Sequence, residues 1–280
     1  MKKLGLWLGA CLLILSGSFY AIYKILEAHV HTLPENSVRD CEGSSGLSRL
    51  LVLGDSITHG RVSANYVDLL RAKYGERYDI VNGGINGHLA HDLRLRLPDA
   101  LDKCRPDIVL VMIGTNDVNI AISKQNRERY LRAHPERSTP DRAWFKKNLR
   151  EILALVQADT NIRRVALYSI PPIGERIDSP ENRLVAEYNL DLERVADQFA
   201  VPVLPLFERM RAVLSERTPP DLCGSDRYYV EAAVFQYYLL GRGWNAISDT
   251  FDMHFTTDCL HFNDRGAGLM ADLAAPILEP

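Results

Sequence analysis

No stripe of lysine and arginine interleaved with aromatic residues runs through this sequence. Its 33 basic side chains are nearly matched by 36 acidic ones, for a formal charge of −3. That balance lacks the electrostatic footprint of a nucleic-acid-binding protein. Internal repeats and low-complexity tracts are absent as well. Cysteine is scarce, five in 280 residues, and the spacing matches no metal site. What is present is ordinary for a globular protein, 46% hydrophobic and 25% charged. The length suits one α/β domain better than two.

At the N-terminus the lack of charge is itself informative. Lys2 and Lys3 precede Leu4 to Tyr23, twenty residues without a charge, about long enough to span a bilayer as a helix. Positive charge before the run favours a cytoplasmic N-terminus. The expectation is a membrane anchor over residues 1–27 with the folded domain on the periplasmic, extracytoplasmic side. The rival is a cleaved signal peptide, with small residues at Ser16-Gly17-Ser18 and a secreted product. Leu8-Gly9-Ala10-Cys11 looks like a lipoprotein cleavage box but comes too early in the apolar run. Residues 28–46 show little apolar periodicity and read as a tether, and 47–280 as the domain. Cys11 sits in the apolar run. Cys41, Cys104, Cys223 and Cys259 permit two disulfides in any of three pairings, or four free thiols.

Arg49–Leu53, Tyr78–Val81, Asp107–Ile113, Arg164–Ile170 and Val201–Pro205 are short apolar runs of buried-strand type. Helical spacing separates them. It is carried by Val62, Tyr66, Leu69 and Leu70 with Gly75 as a stop, by Leu89, Leu93, Leu97 and Leu101, and by Phe145, Leu149, Ile152, Leu153 and Val156. Ser179-Pro180 starts another helix, a Ser cap before Pro at the first helical position, and a last one covers 265–278. Strands alternating with helices imply a parallel sheet covered on both faces, with sites at the strands' carboxyl ends. Ser123–Arg142, rich in Arg and Glu, reads as a solvated excursion. Asp221–Phe255 is rich in aromatics from Tyr228 to Phe255 and reads either as a wall or lid of a pocket or as a helix packed on the core.

Four motifs fall at those carboxyl ends. Gly54-Asp55-Ser56-Ile57 follows the first strand, Asn82-Gly83-Gly84-Ile85-Asn86-Gly87 the second, and Gly114-Thr115-Asn116-Asp117 the third; Asp258-Cys259-Leu260-His261 precedes the last helix. In this order they resemble the SGNH (GDSL) hydrolases over Leu50 to about Leu278. The resemblance implies a flavodoxin-like three-layer α/β/α sandwich with a five-stranded parallel sheet, the SGNH hydrolase fold. It also implies a GDSL-type esterase or lysophospholipase-like activity. Ser56 would be the nucleophile, His261 its general base and Asp258 the residue that orients His261. Ser56, Gly87 and Asn116 would form the oxyanion hole. Family members often carry proline after the histidine; here Phe262 stands there.

The residues make this chemistry intelligible. A serine hydroxyl is a poor nucleophile until a neighbouring base takes its proton, and a carboxylate three residues from the histidine can fix its tautomer. Asp55 and Asp117 read as structural turn residues. His59, His88 and His91 read as exposed helix or loop histidines rather than metal ligands. The expected activity is hydrolysis, through an acyl-enzyme, of a lipid acyl ester, an acetylated carbohydrate or a small ester. No metal or organic cofactor is implied, and the expected partners are a small-molecule, glycan or lipid ester and, through the N-terminal segment, a membrane. An O-acyltransferase acting on a cell-envelope glycan would use the same residues, and a non-catalytic binding module would need none of them.

Overall fold

The computed structural model describes residues 18–41, 46–135, 137, 139–218, 223 and 229–279. Lys2, Lys3, Cys11, Ser16-Gly17 and most of the uncharged run lie outside these, and so does Tyr228. Its visible end belongs to helix α1 (18–31). Among the described residues no helix is long and apolar enough to cross a membrane. The stretch read as a tether is anchored where it is described. Ser37 bridges Asn82, the Asn82 N–H donates to the Asn36 carbonyl, and Cys41 is bonded to Cys104.

β1 (Ser48–Gly54) is apolar without alternation at Leu50–Leu53 because both its faces are covered. It runs directly into α2 (Ser56–His59), a single turn capped by the Asp55 carboxylate, which accepts from the Ile57 N–H at 3.0 Å. α3 (Tyr66–Tyr74) starts where the Asn65 side chain accepts from the N–H groups of Val67 and Asp68. Periodicity alone suggests an earlier start at Val62. That residue instead packs with Val30 and Val234, and Leu69 faces solvent. β2 (Tyr78–Gly84) outlasts its apolar run by three residues, Asn82-Gly83-Gly84. There follow α4 (Ala90–Cys104), β3 (Ile108–Met112), α5 (Thr115–Ile122), α6 (Lys124–Ala133) and α7 (Arg142–Ala158). α6 has no buried residue, as a solvated excursion requires.

β4 (Arg164–Tyr168) precedes α8 (Pro180–Gln198), whose Ser179 cap accepts from Asn182 N–H. β5 (Val203–Leu204) is only two residues long. The remaining helices are α9 (Leu206–Leu214), α10 (Val230–Tyr238), α11 (Trp244–Asp249), α12 (Asp264–Leu273) and α13 (Ala275–Leu278). The single helix expected over 265–278 is thus two. Pro276 has no N–H to continue the ladder, and α13 starts afresh with it in the first turn.

The sheet is wholly parallel in the order β2-β1-β3-β4-β5, so the expected α/β/α sandwich is observed. Alternate side chains point to opposite faces. Leu51, Leu53, Val109, Val111 and Leu167 pack against α4, α7 and α8. Leu50, Val52, Leu110, Met112 and Ala166 pack against α3, α9 and α12. Each Leu or Phe so buried contributes about 1.5–3 kcal/mol. Strand order reverses between β1 and β3, and Gly54 is level with both Gly84 and Met112. A crevice at the carboxyl ends of such a switch point is where ligands bind in open α/β sheets.

Candidate active site

The crevice holds a serine, a histidine and an aspartate in one chain of hydrogen bonds. Ser56 Oγ is 2.8 Å from His261 Nε2, and His261 Nδ1 is 2.7 Å from Asp258 Oδ2. The second oxygen of Asp258 accepts from the N–H groups of Leu260 (3.0 Å) and His261 (2.7 Å). The carboxylate therefore fixes its own loop as well as the imidazole. Burial alone would lower the His261 pKa, but the Asp258 carboxylate more than offsets this and the pKa lies above the ordinary imidazole value. Ser56 is 7% exposed and His261 5%.

The loop carrying Asp258 and His261 stands on a short ladder. Thr257 N–H donates to the His261 carbonyl, and Asn263 N–H to that of Phe255, each at 2.9 Å. Phe262 occupies the position where proline is common. It is fully buried in the core, and its carbonyl accepts from Ala64 N–H at 2.9 Å, which locks the loop to the chain just after α2. Cys259 is bonded to Cys223, one of the three pairings the cysteines permit; the other bridge is Cys41–Cys104.

α2 can lie against β1 and β2 because two glycines leave room. A Cβ on Gly54 would fall 2.1 Å from Thr58 Oγ1, and one on Gly84 2.2 Å from the His59 nitrogen. Asn82 fastens the same contact by donating to the Thr58 carbonyl at 2.8 Å. Beyond β2 the chain turns at Gly87, whose φ of +75° suits glycine. One residue later the His88 carbonyl accepts from Asn116 Nδ2 at 3.1 Å. The third motif is thereby joined to the residue that follows the second.

Two charged residues with no motif to mark them hold this arrangement. Arg96 of α4 donates to the carbonyls of Gly54 (2.9 Å) and Gly83 (2.8 Å) and to His88 Nδ1 (3.1 Å). It thereby ties together the ends of β1 and β2 and the Gly87 turn. Glu175, buried in the loop after β4, accepts from the N–H groups of His254 (2.6 Å), Phe255 (2.6 Å) and Thr256 (2.9 Å), and from the Thr256 hydroxyl. It grips the segment that enters the Asp258 loop. In sequence Arg96 is one more cation on an amphipathic helix. Glu175's one signal is its place after the fourth strand, in Pro171-Pro172-Ile173-Gly174-Glu175.

Asp55 is a turn residue as expected, the cap of α2, whereas Asp117, read as a loop residue, lies in the first turn of α5; both are buried. Burial pushes their pKa values up to about 7 and about 8. Asp117 accepts from Ala90 N–H at the start of α4. His59 corrects an expectation. It is buried rather than exposed, and burial lowers its pKa to about 4. His88 meets Arg96, and His91 stacks on Trp144 with centroids 4.8 Å apart. The aromatic segment divides between the two readings. Trp244 and Phe255 belong to the core, while Tyr237 stacks on Trp244 and stays half-exposed.

Comparison with known proteins supplies the family. The curated relatives include an arylesterase of Vibrio mimicus, 35% identical over 80 residues that make up 26% of this chain and 40% of that protein. Another is an acetylxylan esterase of Geobacillus stearothermophilus, 37% identical over 87 residues, 25% of this chain and 40% of that protein. The match therefore spans well under half the length of these relatives. Among solved structures, an acetyl xylan esterase superposes with a TM-score of 0.57 at 21% identity, covering 82% of this chain and 98% of that one. The acetylxylan esterase of Geobacillus stearothermophilus gives 0.55 at 20% identity over 85% of this chain and 96% of that one. The family model of the GDSL-like lipase/acylhydrolases matches residues 52–269, from within β1 to within α12. This chain belongs to the GDSL-like lipase/acylhydrolase family.

Proposed function

We propose that Ser56 is the nucleophile of an ester hydrolase whose substrate is a carbohydrate bearing small acyl groups, acetyl foremost. The observation that carries the catalytic part is the hydrogen-bonded chain from Ser56 through His261 to Asp258. In this reading His261 takes the Ser56 proton as Oγ attacks the ester carbonyl, then returns it to the leaving alkoxide. An acyl-enzyme results, and water activated by the same histidine hydrolyses it. Asp258 holds Nδ1–H and stabilises the imidazolium. The oxyanion is met by the N–H groups of Ser56 and Gly87 and by the second amide hydrogen of Asn116, whose first is held by His88. One such donor is worth about 3 kcal/mol. The carbohydrate part is supported by the local likeness to an acetylxylan esterase, 37% identical over 87 residues.

A serine-directed fluorophosphonate should label the protein, and Ser56→Ala should abolish both labelling and turnover. Equal labelling of the variant would refute the nucleophile. Esters of graded acyl length, presented on small alcohols and on sugars, test the substrate class; a preference for long acyl chains would refute it.

The domain is further proposed to work outside the cytoplasm. Two disulfides support this, since such bonds persist in oxidising compartments.

A further inference from the structure

We infer that a polar cleft built on the segments that follow Ser56 and His261 is a binding site for a sugar residue of a neutral glycan. It would hold the chain whose acyl group reaches Ser56. The inference rests on the carbohydrate-ester reading above and adds to it a place where the carbohydrate is held. The cleft has a volume of about 400 Å³ and lies between the loop after α2, the start of α3 and the α10–α11 aromatics. Its position is set by the catalytic elements. The loop leaves α2, which begins with Ser56, and Ala64 of that loop is hydrogen-bonded to Phe262, the neighbour of His261. Asp264, three residues beyond His261, closes one side.

Three features specify the ligand. First, the cleft has an aromatic wall. Half-exposed Tyr237 is backed by the core residue Trp244, the two rings stacked with centroids 4.1 Å apart and planes 10° from parallel, and Tyr238 is fixed beside them by a 2.9 Å bond to the Arg61 carbonyl. A rigid aromatic plate packs well against the C–H face of a sugar ring. Second, the cleft collects unsatisfied polar atoms. Ser63 Oγ, on a side chain with no exposure, and the Nε atoms of Arg61 and Arg71 are all buried without a hydrogen-bond partner. Leaving such a group unpaired costs about 1–3 kcal/mol, and sugar hydroxyls both donate and accept. Third, the charges are mixed. Arg61 and Arg71 are accompanied by Glu35, Asp68 and Asp264, with Arg71 paired to Asp68 at 2.8 Å. No net positive field is present to favour a phosphate or an acidic polymer. The two guanidinium groups are steadied by the carbonyls of Leu33 (3.5 Å) and Glu35 (3.2 Å), which reduces the ordering cost of binding.

The test separates binding from reaction. The Ser56→Ala protein is titrated calorimetrically with unacetylated xylotetraose and cellotetraose. Binding of at least one with Kd near or below about 1 mM is expected. Tyr237→Ala and Ser63→Ala, each added to Ser56→Ala, should weaken it about tenfold, or ~1.4 kcal/mol. Ser63→Ala removes one oxygen and keeps the conclusion testable if the tyrosine variant fails to fold. In the active protein, Tyr237→Ala should lower the ratio of kcat/KM for acetylated xylotetraose to that for acetylated xylose by a similar factor. Absence of binding, binding indifferent to both variants, or displacement of the sugar by inorganic phosphate would each overturn the site. Sugar binding sensitive to both variants in a protein that cleaves no sugar ester would uphold the cleft and sink the substrate reading instead.

Discussion

His261 sits between two opposed influences. Burial disfavours its charged form, and Asp258 at 2.7 Å favours that form more strongly, so the folded pKa is raised. Only the neutral imidazole can take the Ser56 proton. Activity should therefore be low in acid and rise as pH passes upward through that raised value. Asp258→Asn removes the main opposing anion and leaves burial with only the weaker field of Asp55 against it. The acid limb of kcat/KM should then move to lower pH, while kcat falls by about 10³–10⁴-fold. A pH profile whose acid limb does not move would show that Asp258 does not act on His261. At this scale the sequence was legible where a residue lies in a motif at the end of a strand. Ser56, His261 and Asp258 form one hydrogen-bonded chain, and Asn116 meets the residue that follows Gly87. Arg96 and Glu175 were not legible, because a lone charge in a helix or loop ordinarily faces water. Only the fold shows that Arg96 faces carbonyls at the ends of β1 and β2 and Glu175 the N–H groups of the segment before Asp258.

Glu175 sets the behaviour of a whole element. Its carboxylate gathers three consecutive backbone N–H groups, from His254 to Thr256, just before the loop that presents Asp258 and His261. Glu175→Ala would leave these buried donors without an acceptor, at about 1–3 kcal/mol for each. The expected outcome is a lowered melting temperature together with a lowered kcat, with Glu175→Gln intermediate because one oxygen remains. Unchanged melting and turnover in the alanine variant would show that the loop is held by other means. Periodicity and strand runs captured most elements, and the departures have local causes. β2 runs on through Asn82-Gly83-Gly84, residues of low strand propensity that pair because β1 continues beside them to Gly54. α3 starts late because Asn65 caps it, and the closing helix breaks where Pro276 cannot donate.

Over the whole molecule, two cross-links join distant parts of the chain, with sequence separations of 63 for Cys41–Cys104 and 36 for Cys223–Cys259. In the chain-entropy account each is worth ~4 kcal/mol. Such a protein should be found where the bonds can form. Alkaline phosphatase fused to the C-terminal end of this sequence should be active, and a reporter that works only in the cytoplasm should be dark; the reverse pattern would refute the extracytoplasmic placement. The topology has one more effect. Ser56 and the histidine it meets are 205 residues apart, and the histidine comes on the last loop before the closing helices. Both residues must therefore have left the ribosome before nucleophile and base can meet, and the loop that carries the base is fastened by the Cys223–Cys259 bridge together with the Phe262 and Glu175 contacts. A nascent chain that stops short of His261 holds a serine without its base, and on the proposed mechanism it would hydrolyse no ester.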